Sequence, residues 1–129
     1  MILVDSSIWI AVFRRERPLD LTAHVAFDEV VTCLPVVQEV LQGFREDAAY
    51  RKARQAMTSL PIVDSPMAPE VFEAAVELYR SARRAGITVR SSVDCLIAAS
   101  AQRHGLEVLH RDRDYKALSK VSGLRQRSI

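Results

Sequence analysis

Four acidic residues interrupt apolar segments of the chain, where a lone charge is costly. Asp5 ends an apolar run at the N-terminus, Glu39 lies in PVVQEVLQG, Asp94 lies in SSVDCLIAAS, and Asp112 comes shortly after an apolar pair. An unpaired carboxylate on an apolar face destabilises a fold, so each of these residues is expected to have a partner. The four acids are therefore the candidates for chemistry.

The chemistry that such acids could do depends on their coming together. Close carboxylates repel one another, and their pKa values rise. A hard divalent cation relieves this repulsion, and an oxygen-only ligand set without histidine or cysteine favours Mg²⁺ or Mn²⁺ over Zn²⁺. One or two such ions would lower the pKa of a bound water, orient it and neutralise charge on a phosphate. Convergence of the acids thus predicts phosphodiester hydrolysis.

Each acid also has a plainer structural interpretation, which the sequence leaves open. Asp5 and Asp112 could each cap the N-terminus of a helix. Asp94 could be a favourable anion in the first turn of a helix, and Glu39 could be a solvated helix residue. In that case the protein would be a non-catalytic module that binds RNA or another protein.

The elements that must position these acids alternate between strands and helices. Short apolar or β-branched runs predict strands at 2–4, 30–34, 61–63, 107–109 and 124–127. Apolar spacing with capping residues, prolines and glycines at the ends predicts helices at 7–14, 21–27, 35–44, 47–60, 69–86, 93–104 and 112–121. This alternation predicts an α/β domain with a mainly parallel sheet, and such sheets bind ligands at the carboxyl ends of their strands.

Length and composition fit one domain over residues 1–129. Hydrophobic residues make up 49% of the chain and aromatic residues 6%, which predicts a core of valine, isoleucine, leucine and alanine. Trp9, at helical spacing from apolar neighbours, is expected in this core. The helix that begins near position 35 is expected to bury one stripe: Val37, Val40, Leu41 and Phe44.

The cysteines and the N-terminus indicate a cytoplasmic protein. Cys33 and Cys95 lie in apolar runs and are expected to be buried free thiols, and no Cys/His spacing suggests zinc. No basic segment precedes the first apolar residues, so we expect no signal peptide. No apolar stretch reaches the ~18 residues of a membrane span, so we expect a soluble protein without a membrane partner.

Several enzyme classes are excluded by the absence of their motifs. The chain contains no GxGxxG, no GxxxxGK[ST] and no GxSxG, which removes dinucleotide-binding, P-loop and α/β-hydrolase interpretations. A receiver domain would need paired acids after the first strand, but Asp5 is followed by serines. A phosphatase with an aspartate nucleophile would need a second aspartate where Ser7 stands.

Basic residues lie near the acidic segments and could contact the phosphates of RNA. Arginine forks match phosphate geometry, and Arg90 is best placed because it precedes the serines at a predicted helix start. A solvated charged face is the ordinary alternative for any one of these side chains. The set is Arg14, Arg15, Arg17, Arg83, Arg84, Arg90, Arg111, Arg113, Lys116 and Lys120.

Four segments in this order, MILVDSSIWI, VVQEVLQG, SSVDCLIAAS and VLHRDRDYKAL, resemble the PIN-domain family. More narrowly, they resemble VapC-type toxins of bacterial toxin–antitoxin pairs, over nearly the whole chain. The resemblance implies a three-layer α/β sandwich and cleavage of RNA, transfer RNA by analogy, with Mg²⁺ or Mn²⁺. It also implies a cognate VapB-like antitoxin and a homodimer.

The resemblance assigns site residues by motif. It matches Asp5, Glu39, Asp94 and Asp112 to the family's acids, the last of which stands before an aromatic residue. The segment HRDRDY also offers Asp114, so the identity of the fourth acid is open. We favour Asp112, which follows the strand directly, and expect Asp114 to contact the metal ligands rather than the metal. Ser6 stands where the family often has threonine, and its hydroxyl, like that of Ser7, is expected to serve the same hydrogen-bonding role beside the acids. Glu39 is a candidate proton acceptor.

Overall fold

A computed structural model describes all 129 residues, 1–129. It contains five strands and six α-helices, joined by two 3₁₀ turns at Leu21–Ala23 and Phe27–Glu29. The strands are β1 (Ile2–Val4), β2 (Val30–Cys33), β3 (Ile62–Val63), β4 (Glu107–His110) and β5 (Gln126–Ser128). The helices are α1 (Ser6–Val12), α2 (Leu34–Leu41), α3 (Asp47–Thr58), α4 (Pro69–Arg84), α5 (Ser92–Arg103) and α6 (Arg113–Ser119).

The five strands form one sheet in the order β3-β2-β1-β4-β5, and every neighbouring pair is parallel. The central strand β1 pairs Leu3 with Val31 on one side and with Val108 on the other. Helices cover the sheet, which explains why β1 is apolar at every position. The predicted α/β sandwich of a parallel sheet flanked by helices is confirmed, and the sheet is entirely parallel.

The core has the predicted aliphatic character. Leu3, Val4, Val108 and Leu109 are fully buried in the two central strands, and Ile97 of α5 is buried with them. Because all strands run the same way, their carboxyl ends, which carry the turns into the helices, lie along one edge of the sheet.

Three further predictions about buried residues are confirmed. Trp9 is 4% exposed and lies in the core, where its ring stacks on Phe13. Cys33 and Cys95 are buried free thiols. Burial raises the pKa of the Cys33 thiol to about 12 and that of Cys95 to about 11, so both thiols stay protonated and unreactive.

The helix predicted at 21–27 is wrong. That stretch makes only single 3₁₀ turns, the first capped by Asp20, whose carboxylate accepts from the Thr22 backbone N–H. Only Leu21 and Val25 are buried there, one helical turn apart, so a longer helix would have no further apolar face to pack.

The buried stripe predicted for α2 is displaced along the helix. Val36 is fully buried and Val40 is buried, whereas Val37 and Leu41 are only half-buried. The helix begins at Leu34, directly after β2, and Pro35 and Val36 in its first turn are buried. It ends at Leu41, and Phe44 packs from beyond the helix.

Glycine ends α4 and α5 as predicted. Gly86 and Gly105 have φ values of 74° and 63°, in the left-handed region that glycine tolerates without a steric penalty. None of the helices is both long and apolar enough to span a membrane.

Candidate metal centre

Two of the candidate acids lie where central strands end. Asp5 follows β1 and is the N-cap of α1, and Asp112 follows β4 and is the N-cap of α6. The Asp5 backbone N–H donates to the Leu109 carbonyl at 2.9 Å, which ties the two strand ends together. The capping roles are therefore real, and they place both carboxylates at the carboxyl edge of the sheet.

The other two acids reach the same edge from helices. Asp94 lies in the first turn of α5, and Glu39 lies on α2. One carboxylate oxygen each from Asp5, Glu39 and Asp94 lie within 4.8 Å of one another. A second group with the same spacing joins Asp94 to Asp112 and Asp114. The structure thus brings all four predicted acids, and Asp114, into one cluster centred on Asp94.

The two serines that follow Asp5 orient two of the acids. Both Ser7 groups, the backbone N–H at 3.0 Å and the hydroxyl at 2.5 Å, donate to Asp5 Oδ2. Ser6 Oγ donates to Glu39 Oε1 at 3.0 Å. Ser7 Oγ also accepts from the Arg111 backbone N–H at 3.0 Å, which fixes the loop after β4 against α1.

Asp94 is the least satisfied member of the cluster. Its side chain is buried, with 4% exposure, and its Oδ2 atom has no hydrogen-bond partner. Burial and the charges of Asp5 and Asp112 raise the pKa of Asp94 to about 9. A buried, unpartnered oxygen among other carboxylates is the place where a hard dication would supply the missing interaction.

Glu39 differs from Asp94 in being half-buried. Burial raises the pKa of Glu39, and the charges of Asp5 and Asp112 add to the effect, while the hydrogen bond from Ser6 opposes it. Because Ser6 occupies Oε1, the other oxygen, Oε2, remains available to a proton or a cation.

Asp112 and Asp114 both belong to the cluster but differ in their surroundings. Asp112 is half-buried, and its Oδ1 caps α6 by accepting from the Asp114 backbone N–H at 2.9 Å. Asp114 is 3% exposed, and its Oδ2 accepts from the backbone N–H groups of Arg90 and Ser91 at 3.1 and 3.3 Å. Asp114 therefore also ties the loop before α5 to α6.

Arg90, the predicted phosphate contact, touches the cluster through its backbone. Its backbone holds Asp114, whereas its side chain is exposed and makes no ion pair. The guanidinium is therefore free to meet a ligand beside the acids.

The role of Tyr115, which contacts two acids of the cluster, was missed by the sequence analysis. Tyr115 is fully buried, and its hydroxyl lies 2.6 Å from Asp5 Oδ1 and 3.3 Å from Asp94 Oδ1. Burial, followed by the charges of Asp5 and Asp94, raises the pKa of Tyr115, so the phenol stays neutral and donates. A hydroxyl-bearing aromatic directly after Asp114 was the only signal for it.

The role of His110, whose imidazole holds the backbone of Asp112, was also missed by the sequence analysis. Its Nδ1 accepts from the Asp112 backbone N–H at 3.0 Å, which leaves Nε2 as the donor to Gln126 Oε1 at 2.7 Å. The imidazole therefore orients the cap of α6 and links it to β5. Its place at the end of an apolar strand gave no sign of that role.

The cluster as a whole fits a hard divalent cation. It offers carboxylate oxygens, three of its acids are almost fully buried, and Asp94, whose Oδ2 has no hydrogen-bond partner, belongs to both groups of acids. Mg²⁺ and Mn²⁺ prefer such ligands. Asp5, Glu39 and Asp94 form one group of ligands that could hold an ion, and Asp94, Asp112 and Asp114 form another.

Comparison with known proteins gives matches over almost all of the chain. The family model of the PIN domain matches residues 2–121. Ribonuclease VapC11 of Mycobacterium tuberculosis is 37% identical in an alignment that covers 100% of this chain and 99% of the relative. VapC ribonuclease Mb1587 of Mycobacterium bovis shows the same identity and coverage.

Solved structures share the fold at lower sequence identity. VapBC2 from Rickettsia felis, bound to a promoter DNA fragment, aligns with a TM-score of 0.79 and 14% identity over 100% of this chain and 99% of the other. VapBC-5 from Mycobacterium tuberculosis aligns with a TM-score of 0.74 and 21% identity over 99% and 98%.

Replacing Asp94 by asparagine should stabilise the metal-free protein. The unfolded chain releases the Asp94 proton near pH 4, whereas the folded protein holds it to about pH 9, so stability falls as pH rises between these values. Asparagine removes that penalty. We expect the Tm of Asp94→Asn in EDTA to exceed wild type by on the order of 5 °C at pH 8, and by less at pH 5.

The matched control is Asp28→Asn, an exposed aspartate outside the cluster, which should leave the Tm unchanged. Mg²⁺ should raise the Tm of wild type and of this control, and should fail to raise that of Asp94→Asn. An Asp94→Asn protein that is no more stable than wild type in EDTA at pH 8 would contradict the account of this cluster.

Proposed function

The chain belongs to the PIN-domain family, within its VapC group, and from that premise we propose that it is a Mg²⁺-dependent endoribonuclease, the toxin of a type II toxin–antitoxin module. Mn²⁺ would serve in place of Mg²⁺. The observation that carries the proposal is the buried acid cluster around the unpartnered Oδ2 of Asp94. The names of the relatives at 37% identity support cleavage of RNA.

The residues divide the work of hydrolysis by position. Asp5 and Asp94 are almost fully buried and would hold the ion, and the half-buried Glu39 and Asp112 would contribute further carboxylates. The bound ion would lower the pKa of water and neutralise charge on the scissile phosphate. Ser7 and Ser6 keep the Asp5 and Glu39 carboxylates in place throughout.

Glu39 is the best placed proton acceptor. Its Oε2 carries no hydrogen bond, it is half-buried, and its raised pKa favours taking a proton from the attacking water. The water oxygen would then bond to phosphorus as the bond to the leaving sugar oxygen breaks on the opposite side, and that oxygen would take a proton from solvent and leave as a hydroxyl.

A groove beside the acids supports a polyanionic substrate. This cationic groove, a cavity of about 350 Å³, is lined by Thr88, Arg113, Asp114, Lys116, Ala117 and Lys120. Its three cations lie on one face of α6 or just beyond it, and none of them pairs with a carboxylate. Unpaired cations next to an acid cluster fit an RNA backbone that passes from the groove to the site. Transfer RNA is the substrate suggested by family analogy.

An antitoxin is the second partner that we propose. The solved structures with this fold include toxin–antitoxin complexes from several bacteria. A VapB-like antitoxin could inhibit by placing a basic side chain among the carboxylates, since that charge would meet the same need as the metal ion.

A homodimer is supported by an apolar face that one copy leaves uncovered. Leu34, Phe72 and Val76 are 39%, 48% and 58% exposed and line adjoining cavities between α2, α4 and α5. On α4 the acids precede the bases: Glu70, Glu73 and Glu77 come before Arg80, Arg83 and Arg84. Two copies related by a two-fold axis would place acidic halves against basic ones.

Loss of the Asp5 carboxylate should strongly reduce cleavage. We expect Asp5→Asn to lower the rate of Mg²⁺-dependent cleavage of a labelled RNA by at least about 100-fold, because it removes a metal ligand. EDTA should stop the wild-type reaction, and added Mg²⁺ should restore it. Asp28→Asn should cleave at the wild-type rate. Undiminished cleavage by Asp5→Asn would refute the mechanism, and tight RNA binding without cleavage by wild type would favour a non-catalytic binding module.

Neutralising the cationic groove should weaken RNA binding and leave metal binding intact. We expect the combined variant Arg113→Gln, Lys116→Gln, Lys120→Gln to lower RNA affinity. Its slope of log affinity against log salt should be smaller by about 2, from three lost phosphate contacts. Fluorescence anisotropy in EDTA measures this without cleavage.

The matched control neutralises three exposed cations of α3, Arg51, Lys52 and Arg54, and should keep the wild-type slope. Equal slopes for the two triple variants would show that the cationic groove does not take the RNA.

A further inference from the structure

Tyr115 joins three elements of the acid cluster. It lies on α6, and its side chain is fully buried. Its hydroxyl oxygen is 2.6 Å from Asp5 Oδ1, which follows β1, and 3.3 Å from Asp94 Oδ1, which belongs to α5. One phenol therefore contacts the two most buried acids of the first ligand group.

The Tyr115 hydroxyl is the hydrogen-bond donor to the Oδ1 atoms of both acids. Asp5 Oδ2 already accepts two hydrogen bonds from Ser7, so Tyr115 serves its other oxygen. Oδ1 of Asp94 accepts from Tyr115, and Oδ2 of Asp94 has no hydrogen-bond partner. Tyr115 is therefore the one donor to this carboxylate. A phenol has a single proton, so the two carboxylates share it, and the shorter contact gives Asp5 the larger part.

The position of the hydroxyl is fixed by packing rather than by solvent. The Tyr115 ring lies 5.0 Å from the His110 ring, centroid to centroid, and has no solvent-exposed surface. His110 in turn holds the cap of α6 through the Asp112 backbone N–H. A side chain held in this way has few rotamers to choose from, so the oxygen stays where the acids meet.

We propose that Tyr115 is a positioning residue of the metal centre, whose O–H bridges Asp5 and Asp94 and holds their Oδ1 atoms together for the dication. The inference rests on the proposed metal-dependent function. A carboxylate oxygen has two lone pairs, so it can accept a hydrogen bond from the phenol and still bind a cation. Hydrogen bonds that neighbouring residues make to the ligands of a metal commonly set the affinity for that metal.

The test is Tyr115→Phe, which removes one oxygen atom and keeps the ring. We expect the Kd for Mn²⁺, measured by calorimetry on the whole protein, to rise about tenfold. The Tm in EDTA should fall by roughly 5 °C, since both acids lose a donor. The Mn²⁺ concentration that gives half-maximal RNA cleavage should rise with the Kd, while the rate at saturating Mn²⁺ stays within about threefold of wild type.

The matched control is Tyr79→Phe on α4, a half-buried tyrosine whose hydroxyl makes no hydrogen bond and whose ring lies under the Arg83 guanidinium. It should keep the wild-type Mn²⁺ affinity. A Tyr115→Phe protein with a lower Tm and an unchanged Mn²⁺ affinity would reduce Tyr115 to a packing role. Tighter Mn²⁺ binding would show that the hydroxyl competes with the ion, and either result overturns the proposal.

The same measurements separate this inference from the proposed function. Wild-type protein that binds Mn²⁺ and cleaves no RNA would refute the ribonuclease and still decide the role of Tyr115 from the two affinities. Wild-type protein that binds no Mn²⁺ would refute the metal centre, and the positioning role of Tyr115 with it.

Discussion

Repulsion among buried carboxylates is the constraint on which the rest of this structure depends. Asp5, Asp94 and Asp114 are each less than 5% exposed, and Glu39 and Asp112 lie beside them. No arginine, lysine or histidine forms an ion pair with any of the five. The fold stabilises them with neutral donors instead, namely serine hydroxyls, backbone N–H groups and one phenol. Neutral donors orient negative charge without cancelling it, and this uncancelled charge is the reason why we propose a cation at the cluster.

The all-parallel sheet is what makes such a cluster obtainable from a short chain. Parallel strands end at one edge, so residues that follow β1 and β4 become neighbours although about a hundred positions separate them. The helices that leave this edge begin with unpaired backbone N–H groups, which favour negative side chains. Asp5 and Asp112 are helix caps for this reason, and the capping and ligand interpretations of these residues describe the same geometry rather than rival ones.

The sequence predicted the parts of the site that have local causes. An acid directly after an apolar run predicts a strand end, and Asp94 in the first turn of α5 was visible from the serines before it. Tyr115 was not visible, because its contact with Asp5 spans 110 positions and depends on how α6 packs. The helix predicted at 21–27 was wrong for a related reason: apolar spacing indicates which residues can be buried, but the surrounding structure decides how many turns are needed.

The central claim, that the acid cluster is a binding site for a hard dication, is tested most directly by anomalous X-ray diffraction from crystals grown with Mn²⁺. The account predicts a manganese peak at roughly 2.2 Å from carboxylate oxygens of Asp5 and Asp94. Glu39 should lie beside the first peak, and any second peak should lie toward Asp112 and Asp114. A map with no peak among these acids at saturating Mn²⁺, or with manganese only on exposed surface carboxylates, would contradict it.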